Sequence, residues 1–573
     1  MDALGPLLTT DTATDVRAES LTGFTFLELH ARMSVVAPTL VQFMDSLPRR
    51  RSSPVITVTT ISQLMYESNW SNNRLQKTFS IYFKFKGLTA KGFDVLHALG
   101  LVMSHSWISK AIRRMSRMTL DELRELVQKY PWVLTYDNVV ILLKIFSQRL
   151  ENLQKLTSGT AATAYLKPGA TALPASANQD LKEQRAANLD SPITIRRVLD
   201  LAAVGNKKLR PYYAWLLLAA LIHSPDFDLS TYKFKDHTLL QKPPPLNPLP
   251  IGKDAKSMQF LLSSVNQPEA SYSDHVSLID EWLKQLHMYG KQWVESIGRE
   301  KVIAFIGDQL TVSRLRGLFF SFERLDFLLP IFGWLHFAMQ AANSLHAQYL
   351  GRAKGHGFLA SFTLLGRKGL HKTSTEGPFH AHLNEAIHHV GEAEFREIWR
   401  TVAAQSKATV EGLRSKTTSE LVDLATRALS HHASSEALET KEFYTQFTRD
   451  LLPYLTLVAA IKDGDVGSLE ALLPTFLFRF IGGGNNNYQE EALELLNGLN
   501  VDWPQNVADF VRQNCWLLTF TDNADNFVSF DQAQEHNIKD IKVTYKPPGP
   551  RGGWDYMRIL HTAIPTIRTN VRF

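Results

Sequence analysis

The strongest constraint on the fold is a pair of short apolar runs that each lead into an acid. Pro131-Trp132-Val133-Leu134-Thr135-Tyr136 is followed by Asp137-Asn138, and Lys301-Val302-Ile303-Ala304-Phe305-Ile306-Gly307 by Asp308-Gln309-Leu310-Thr311. Runs of this length, rich in β-branched and aromatic residues, read as buried strands. Each strand would deliver a carboxylate to its own C-terminal end. A third acid, Glu535, lies in the helical pattern Phe530-Asp531-Gln532-Ala533-Gln534-Glu535-His536-Asn537-Ile538-Lys539. Two strand-end aspartates and a helical glutamate form a donor set for Mg²⁺ or Mn²⁺, and so for phosphoryl-transfer chemistry. Asp137, Asp308 and Glu535 are therefore the candidate catalytic and metal-binding residues.

Each acid also has a plainer reading, and both stay open at this point. A strand-terminal aspartate such as Asp137 caps turns. Asp308 can cap the helix that opens at Gln309. Glu535 can pair with Lys539 at i,i+4, and Asp531 shares its face. Cations stand near two of the acids: Arg314 and Arg316 after Asp308, and Lys539 and Lys542 after Glu535. Beside a metal site they are candidate phosphate contacts. His380-Ala381-His382 and the neighbouring His356, His371, His388 and His389 have no cysteine nearby, and partly exposed helical histidines describe them better than a zinc site. His336 reads as a packed or hydrogen-bonded histidine. The chain has no Gly-Lys-Ser/Thr phosphate loop, no dinucleotide fingerprint and no nucleophile elbow.

A chain of 573 residues, 44% apolar and 21% charged, is globular in composition and long enough for roughly two to four domains. The net charge of +6 permits nucleic-acid contact without demanding it. One cysteine, Cys515, rules out an intrachain disulfide framework and fits a reducing compartment. The N-terminus has no signal-peptide pattern. Pro211 to Ile222 is too short to span a bilayer, and Leu318 to Met339 carries Glu323, Arg324 and Asp326. No membrane partner is expected, and an intracellular, nuclear location is; Arg49-Arg50-Arg51 is a weak nuclear signal.

Along the chain, residues 1–60 combine a helical stretch with a polar joint. Residues 61–130 are helical. Within them, Leu88 to Gly100 and Ser104 to Met115 have the outline of a helix-turn-helix, with Lys110, Arg113 and Arg114 as candidate nucleic-acid contacts. An ordinary helical hairpin has the same outline. Residues 131–350 hold the two acid-bearing strands, a strand at Ser158 to Leu166, a loop expected to be mobile at 167–190, an extended proline-rich connection at Thr231 to Pro250, a helix from Asp274 to Val294, and a strand from Leu328 to His336. The stretch from Ile141 to Lys155 is ambiguous between strand and helix. Residues 351–500 are helical, broken at Gly482 to Asn487. Residues 501–545 are mixed, with a short strand near Cys515 to Phe520, and 546–573 read as a Pro/Gly- and Arg-rich tail. This order predicts an α/β fold with large helical content. Its centre is an RNase H-like mixed sheet (131–350 and 501–545), interrupted by an all-helical insertion (351–500) and preceded by a helical N-terminal domain.

The segment Gly307-Asp308-Gln309-Leu310-Thr311-Val312-Ser313-Arg314-Leu315-Arg316-Gly317 resembles an uncharacterised family of mushroom-forming fungi, domain of unknown function 6589. The likeness continues through Asp326 to His336, Gly366 to Leu370, Gly377 to His380 and Gln534 to Lys539, and upstream through Thr135 to Asn138 and Ser158 to Thr163. The family name implies no activity. A more distant similarity, strand–Asp308–helix then strand–His336–helix, is to hAT-like transposases. Those interrupt an RNase H-like core with helices before their glutamate. That resemblance implies metal-dependent DNA cleavage or transfer by Asp137, Asp308 and Glu535, or an inactive relic of it. Here Phe332-Gly333-Trp334-Leu335 lacks the cysteine common in hAT elements, and no BED-type zinc finger is present. The alternative is a non-catalytic nucleic-acid-binding or interaction protein. DNA is the expected partner, and a homo-oligomer is compatible with this reading.

Overall fold

The computed structural model describes residues 2–10, 25–47, 53–143, 155–321, 325–370, 379–434, 439–544 and 554–570. Arg49 to Arg51, Glu323, Arg324, His371, Gly377 and Pro378 lie outside the described residues.

Five strands form one mixed sheet. β1 (Trp132–Leu143), β2 (Lys155–Leu166) and β3 (Met258–Leu261) pair antiparallel, while β4 (Ile303–Gly307) and β5 (Leu328–Phe332) join β1 in parallel. The order is β3-β2-β1-β4-β5. β4 lies between two strands and all five of its residues are buried. Its side chains alternate, as strand geometry requires: Ala304 and Ile306 enter the core on one face, Ile303 and Phe305 that on the other. β5 holds Pro330 at the sheet's edge, where a missing N–H costs no ladder bond. The α/β class with large helical content therefore holds. No helix among the described residues is long and apolar enough to cross a membrane.

The helices that matter for the site are few. Towards the N-terminus, α1 (Ala90–Ala98) and α2 (His105–Lys129) form the hairpin outlined in the sequence. Then come α3 (Ala177–Ala187), α4 (Tyr272–Gln285), α5 (Lys291–Glu300), α6 (Gln309–Ser321) after β4, and α7 (Trp334–Tyr349) after β5. Among the described residues, every helix or strand between 351 and 500 is helical. These include α8 (Glu439–Asp463), α9 (Val466–Gly482) and α10 (Asn486–Asn497). A hairpin of β6 (Leu517–Thr519) and β7 (Phe527–Ser529) then leads into α11 (Phe530–Thr544), and α12 (Trp554–Asn570) follows.

Several expectations are corrected. β1 does not end at Asp137: its ladder with β2 runs to Leu143↔Lys155, while its pairing with β4 stops at Thr135↔Ile306. Asp137 thus sits mid-strand, where β1 outruns β4, and Ile141–Leu143 is strand. The strand expected to reach His336 stops at Phe332, and His336 lies in the first turn of α7. The loop at 167–190 contains α3, held by buried Ala177 and Leu181. The helix expected from Asp274 to Val294 is two, α4 and α5. The tail contains α12, whose Leu560, Ile564 and Ile567 are fully buried against Ile108, Ile112 and Met115 of α2.

Candidate functional site

Asp137 shares a face of β1 with Thr135, and α11 covers that face. Gln534 of α11 accepts hydrogen bonds from Thr135 Oγ1 (3.3 Å) and Thr163 Oγ1 (2.5 Å) and donates to the Ala161 carbonyl (2.8 Å). Asn537 donates to Thr163 Oγ1 (3.1 Å) and Tyr165 Oη (3.2 Å). These bonds join side chains nearly 400 positions apart in sequence and fix α11 across β1 and β2. Glu535, exposed on the same helix, is thereby held near Asp137.

Asp308 stands between β4 and α6 and accepts the Thr311 N–H at 2.7 Å. It caps the helix, as one of its two readings anticipated. Gly307 has ordinary strand backbone; space is what requires glycine there. A Cβ would stand 2.8 Å from the Thr311 side chain, in the turn that carries this cap.

Glu269, in the loop between β3 and α4, joins the two aspartates. It is only 5% exposed. Its Oε1 accepts from Asn138 Nδ2 (3.1 Å), and its N–H donates to Asn138 Oδ1 (3.1 Å). Its Oε2 accepts from Thr311 Oγ1 (3.2 Å), and its carbonyl accepts from Arg314 Nη1 (2.7 Å). Glu269 therefore bridges the residue after Asp137 and the cap made by Asp308. The sequence reading missed it.

Asp531, in the first turn of α11, supports the site from below. It accepts the Leu335 N–H (3.1 Å), the His336 N–H (2.9 Å) and His336 Nδ1 (2.9 Å). An anion thus meets the unsatisfied donors at the start of α7. The approach is so close that a Cβ on Gly333 would lie 2.1 Å from the Asp531 carboxyl carbon. His336 is hydrogen-bonded, as expected, but to a carboxylate rather than within a strand.

The electrostatics follow from this crowding. Burial, then Glu535, then Asp308 push the Asp137 carboxyl up to about 7. Burial, then Asp137 and Asp308 push Glu269 up to about 9. Burial alone would lower the His336 imidazole, but the Asp531 bond and charge, with Asp308 and Asp137, raise it to about 9. Asp531 falls below the usual carboxylate range: burial opposes that, and the bond to His336 outweighs burial. The site is a pocket of mutually repelling carboxylates with one imidazolium held at its edge. Among the described residues, no three His, Cys, Asp or Glu side chains converge closely enough to hold one ion as they stand. Asp137, Asp308 and Glu535 share an electrostatic field here, not a coordination sphere.

The candidate nucleic-acid contacts divide. Arg314 lies within the site, on Glu269. Lys539 is exposed one turn beyond Glu535. Arg316 turns to α10 instead, pairing with Glu490 (3.3 Å), Glu491 (2.5 Å) and Glu494 (3.7 Å). Lys110, Arg113 and Arg114 lie on the exposed face of α2, whose other face packs on α12.

A family model described as Family of unknown function (DUF6589) matches residues 188–572. The chain belongs to the DUF6589 family. Glu269, Asp308, His336, Asp531 and Glu535 all lie in the matched span; Asp137 precedes it, as do the segments Thr135 to Asn138 and Ser158 to Thr163. No curated protein and no solved structure matches the chain.

Proposed function

We propose that this DUF6589 protein is transposase-derived, with an RNase H-like core, and that it cleaves or transfers DNA strands with Mg²⁺ or Mn²⁺. The observation that carries this reading is that two buried acids are brought beside other acids by β1, the β4–α6 turn and a helix tied over the sheet: burial, then Glu535 and Asp308, raise Asp137, and burial, then Asp137 and Asp308, raise Glu269. Buried carboxylates that repel one another fit a site whose charge a cation offsets. The strand order, three antiparallel then two parallel, is compatible with the same fold. Asp137, Asp308 and Glu535 would hold the cation, with Glu269 beside them. When bound, it supplies Lewis-acid polarisation of the phosphodiester and lowers the pKa of the attacking water. Imidazolium His336, oriented by Asp531, offsets charge at the phosphate. Lys539 and the exposed cations of α2 would contact the DNA backbone; a protein with this activity would work in the nucleus, and a homo-oligomer is compatible with it.

One observation favours the second reading, a non-catalytic nucleic-acid-binding relic: the carboxylates do not close on a single ion. The deciding experiment offers labelled DNA and Mn²⁺ to purified wild type and Asp308→Asn. Nicking or joining by wild type, abolished in the variant, is the expected result. Equal binding by both with no cleavage by either leaves the relic.

A further inference from the structure

The long helix Ile195–Ile222 has two faces of opposite character. Val198, Gly205 and Leu209 are buried and fall on one stripe of it. Gly205 makes that contact close: a Cβ there would stand 2.3 Å from the Ala471 carbonyl oxygen of α9. The opposite face carries Arg196, Arg197, Lys207 and Lys208, all exposed and none in an ion pair among the described residues. Arg196 aligns with Lys207, and Arg197 with Lys208, three turns or about 16 Å further along the axis. From 195 to 210 five cations stand with a single acid, Asp200, in a chain whose net charge is only +6. α9, underneath, offers one acid, Glu470, and Arg512 holds it at 2.8 Å. Arg196 and Arg197 also lie in the first turn of the helix, which contains no acid. The helix dipole disfavours cations there, and an external anion relieves that cost.

We propose that this ridge is a contact surface for the phosphate backbone of a DNA duplex. A duplex carries about one negative charge per 1.7 Å of axis, so roughly ten lie along the span between the two cation pairs. A small anion would engage one pair and leave the other. A membrane is the other extended anionic surface, but a helix lying on one dips its apolar face into the lipid. Here that face is already buried against α9. Ammonium and guanidinium groups presented to phosphates hold a duplex without reading its sequence. The ridge is also connected to the acidic cluster. Asn497, at the end of α10, accepts the Ile193 N–H at 2.8 Å and holds the start of the helix. Arg316 of α6, the helix that Asp308 caps, grips α10 through Glu491. That ridge and cluster engage the same duplex rests on the reading given above; the charge and exposure of the ridge do not.

The test uses the full chain and two labelled duplexes of unrelated sequence, titrated between about 50 and 200 mM salt, with no divalent metal so that cleavage plays no part. The ridge variant carries Arg196→Gln, Arg197→Gln, Lys207→Gln and Lys208→Gln. A control with the same change in charge carries Lys235→Gln, Lys253→Gln, Lys354→Gln and Lys407→Gln, all exposed. Wild type should bind both duplexes. The ridge variant should bind both about tenfold more weakly or worse, with the slope of log affinity against log salt reduced by about 2–4, since each lost phosphate contact removes about 0.9. The control should stay close to wild type. If the ridge variant then loses binding while wild type with Mn²⁺ cuts neither duplex, the ridge stands and the strand-processing reading falls. Equal binding by wild type and ridge variant would overturn the proposal, as would an equal loss in the control or a loss confined to one sequence. So would a wild type that binds neither duplex, or that binds polyglutamate or anionic vesicles in their place.

Discussion

At the scale of single residues, Asp137 bears the cost of the site. Its carboxyl rises to about 7 in the folded chain, chiefly through burial, with Glu535 and Asp308 adding to it, against about 3.9 when unfolded. The folded state therefore binds the proton more tightly. The stability this group contributes is fully present below about pH 4 and is lost as pH rises through 7. Glu269 and His336 act in the same direction towards pH 9. Asp137→Asn removes the charge that is costly above neutrality. In chelator-treated buffer the variant's stability relative to wild type should be greater at pH 8 than at pH 5, by on the order of 1–3 kcal/mol. Thermal melts at the two pH values check this, and an advantage independent of pH would refute it. Asp308 was legible in the sequence because its signals are local: an apolar run, a glycine and a helix start. Glu269 was not. Its partners Asn138 and Thr311 are tertiary neighbours, and nothing in Gln267-Pro268-Glu269-Ala270 marks it as buried.

At the scale of elements, α7 and α11 are joined through Asp531. Its carboxylate satisfies two backbone donors of α7 and one imidazole, inside a contact that tolerates no side chain at Gly333. Removing the anion would leave an imidazolium and open helix donors behind. Asp531→Ala should therefore cost about 3–5 kcal/mol. Adding His336→Ala should cost clearly less than the sum of the single changes, because the lone charge is then gone. Urea unfolding of the four proteins measures the coupling, and strict additivity would refute it. The sequence misread this junction because Leu328 to His336 is apolar without a break, and periodicity cannot show where a buried strand yields to a buried helix. The tail failed for a different reason. Met557, Leu560, Ile564 and Ile567 have helical spacing, but Pro565 and the preceding glycines and prolines hid it. α12 completes a core with α2, so Leu560→Ala should destabilise by about 2–5 kcal/mol. A loss under 1 kcal/mol in the same urea assay would mean that α12 is only loosely attached.

At the scale of the whole molecule, the acidic site is assembled from parts far apart in the chain. Asp137 comes from β1, Glu269 from the loop after β3, Asp308 from the end of β4 and Glu535 from α11, beyond the helices of 351–500. The two acid-bearing strands and the helix of Glu535 were legible, since continuous apolar runs imply buried strands; the parallel pairing of β1 with β4 was not. The four-residue β3 was not, because so short a run has no period to read. Such an assembly makes a strong prediction about cations. In the free protein, burial and the neighbouring acids favour the protonated forms of Asp137 and Glu269. A divalent cation that binds them in the folded state alone stabilises it by mass action, about 2.7 kcal/mol at a hundredfold excess over Kd. Unfolding scatters the four acids along the chain and removes the site. Mn²⁺ should therefore raise the melting temperature in a saturable way, more at pH 8 than at pH 5, where protons compete for Asp137 and Glu269. Asp308→Asn should lose most of the increment, and Asp121→Asn, an exposed acid on α2 paired within its own helix to Arg124, should keep it. An equal Mn²⁺ effect in Asp308→Asn would place the cation elsewhere and remove the metal from the proposed chemistry.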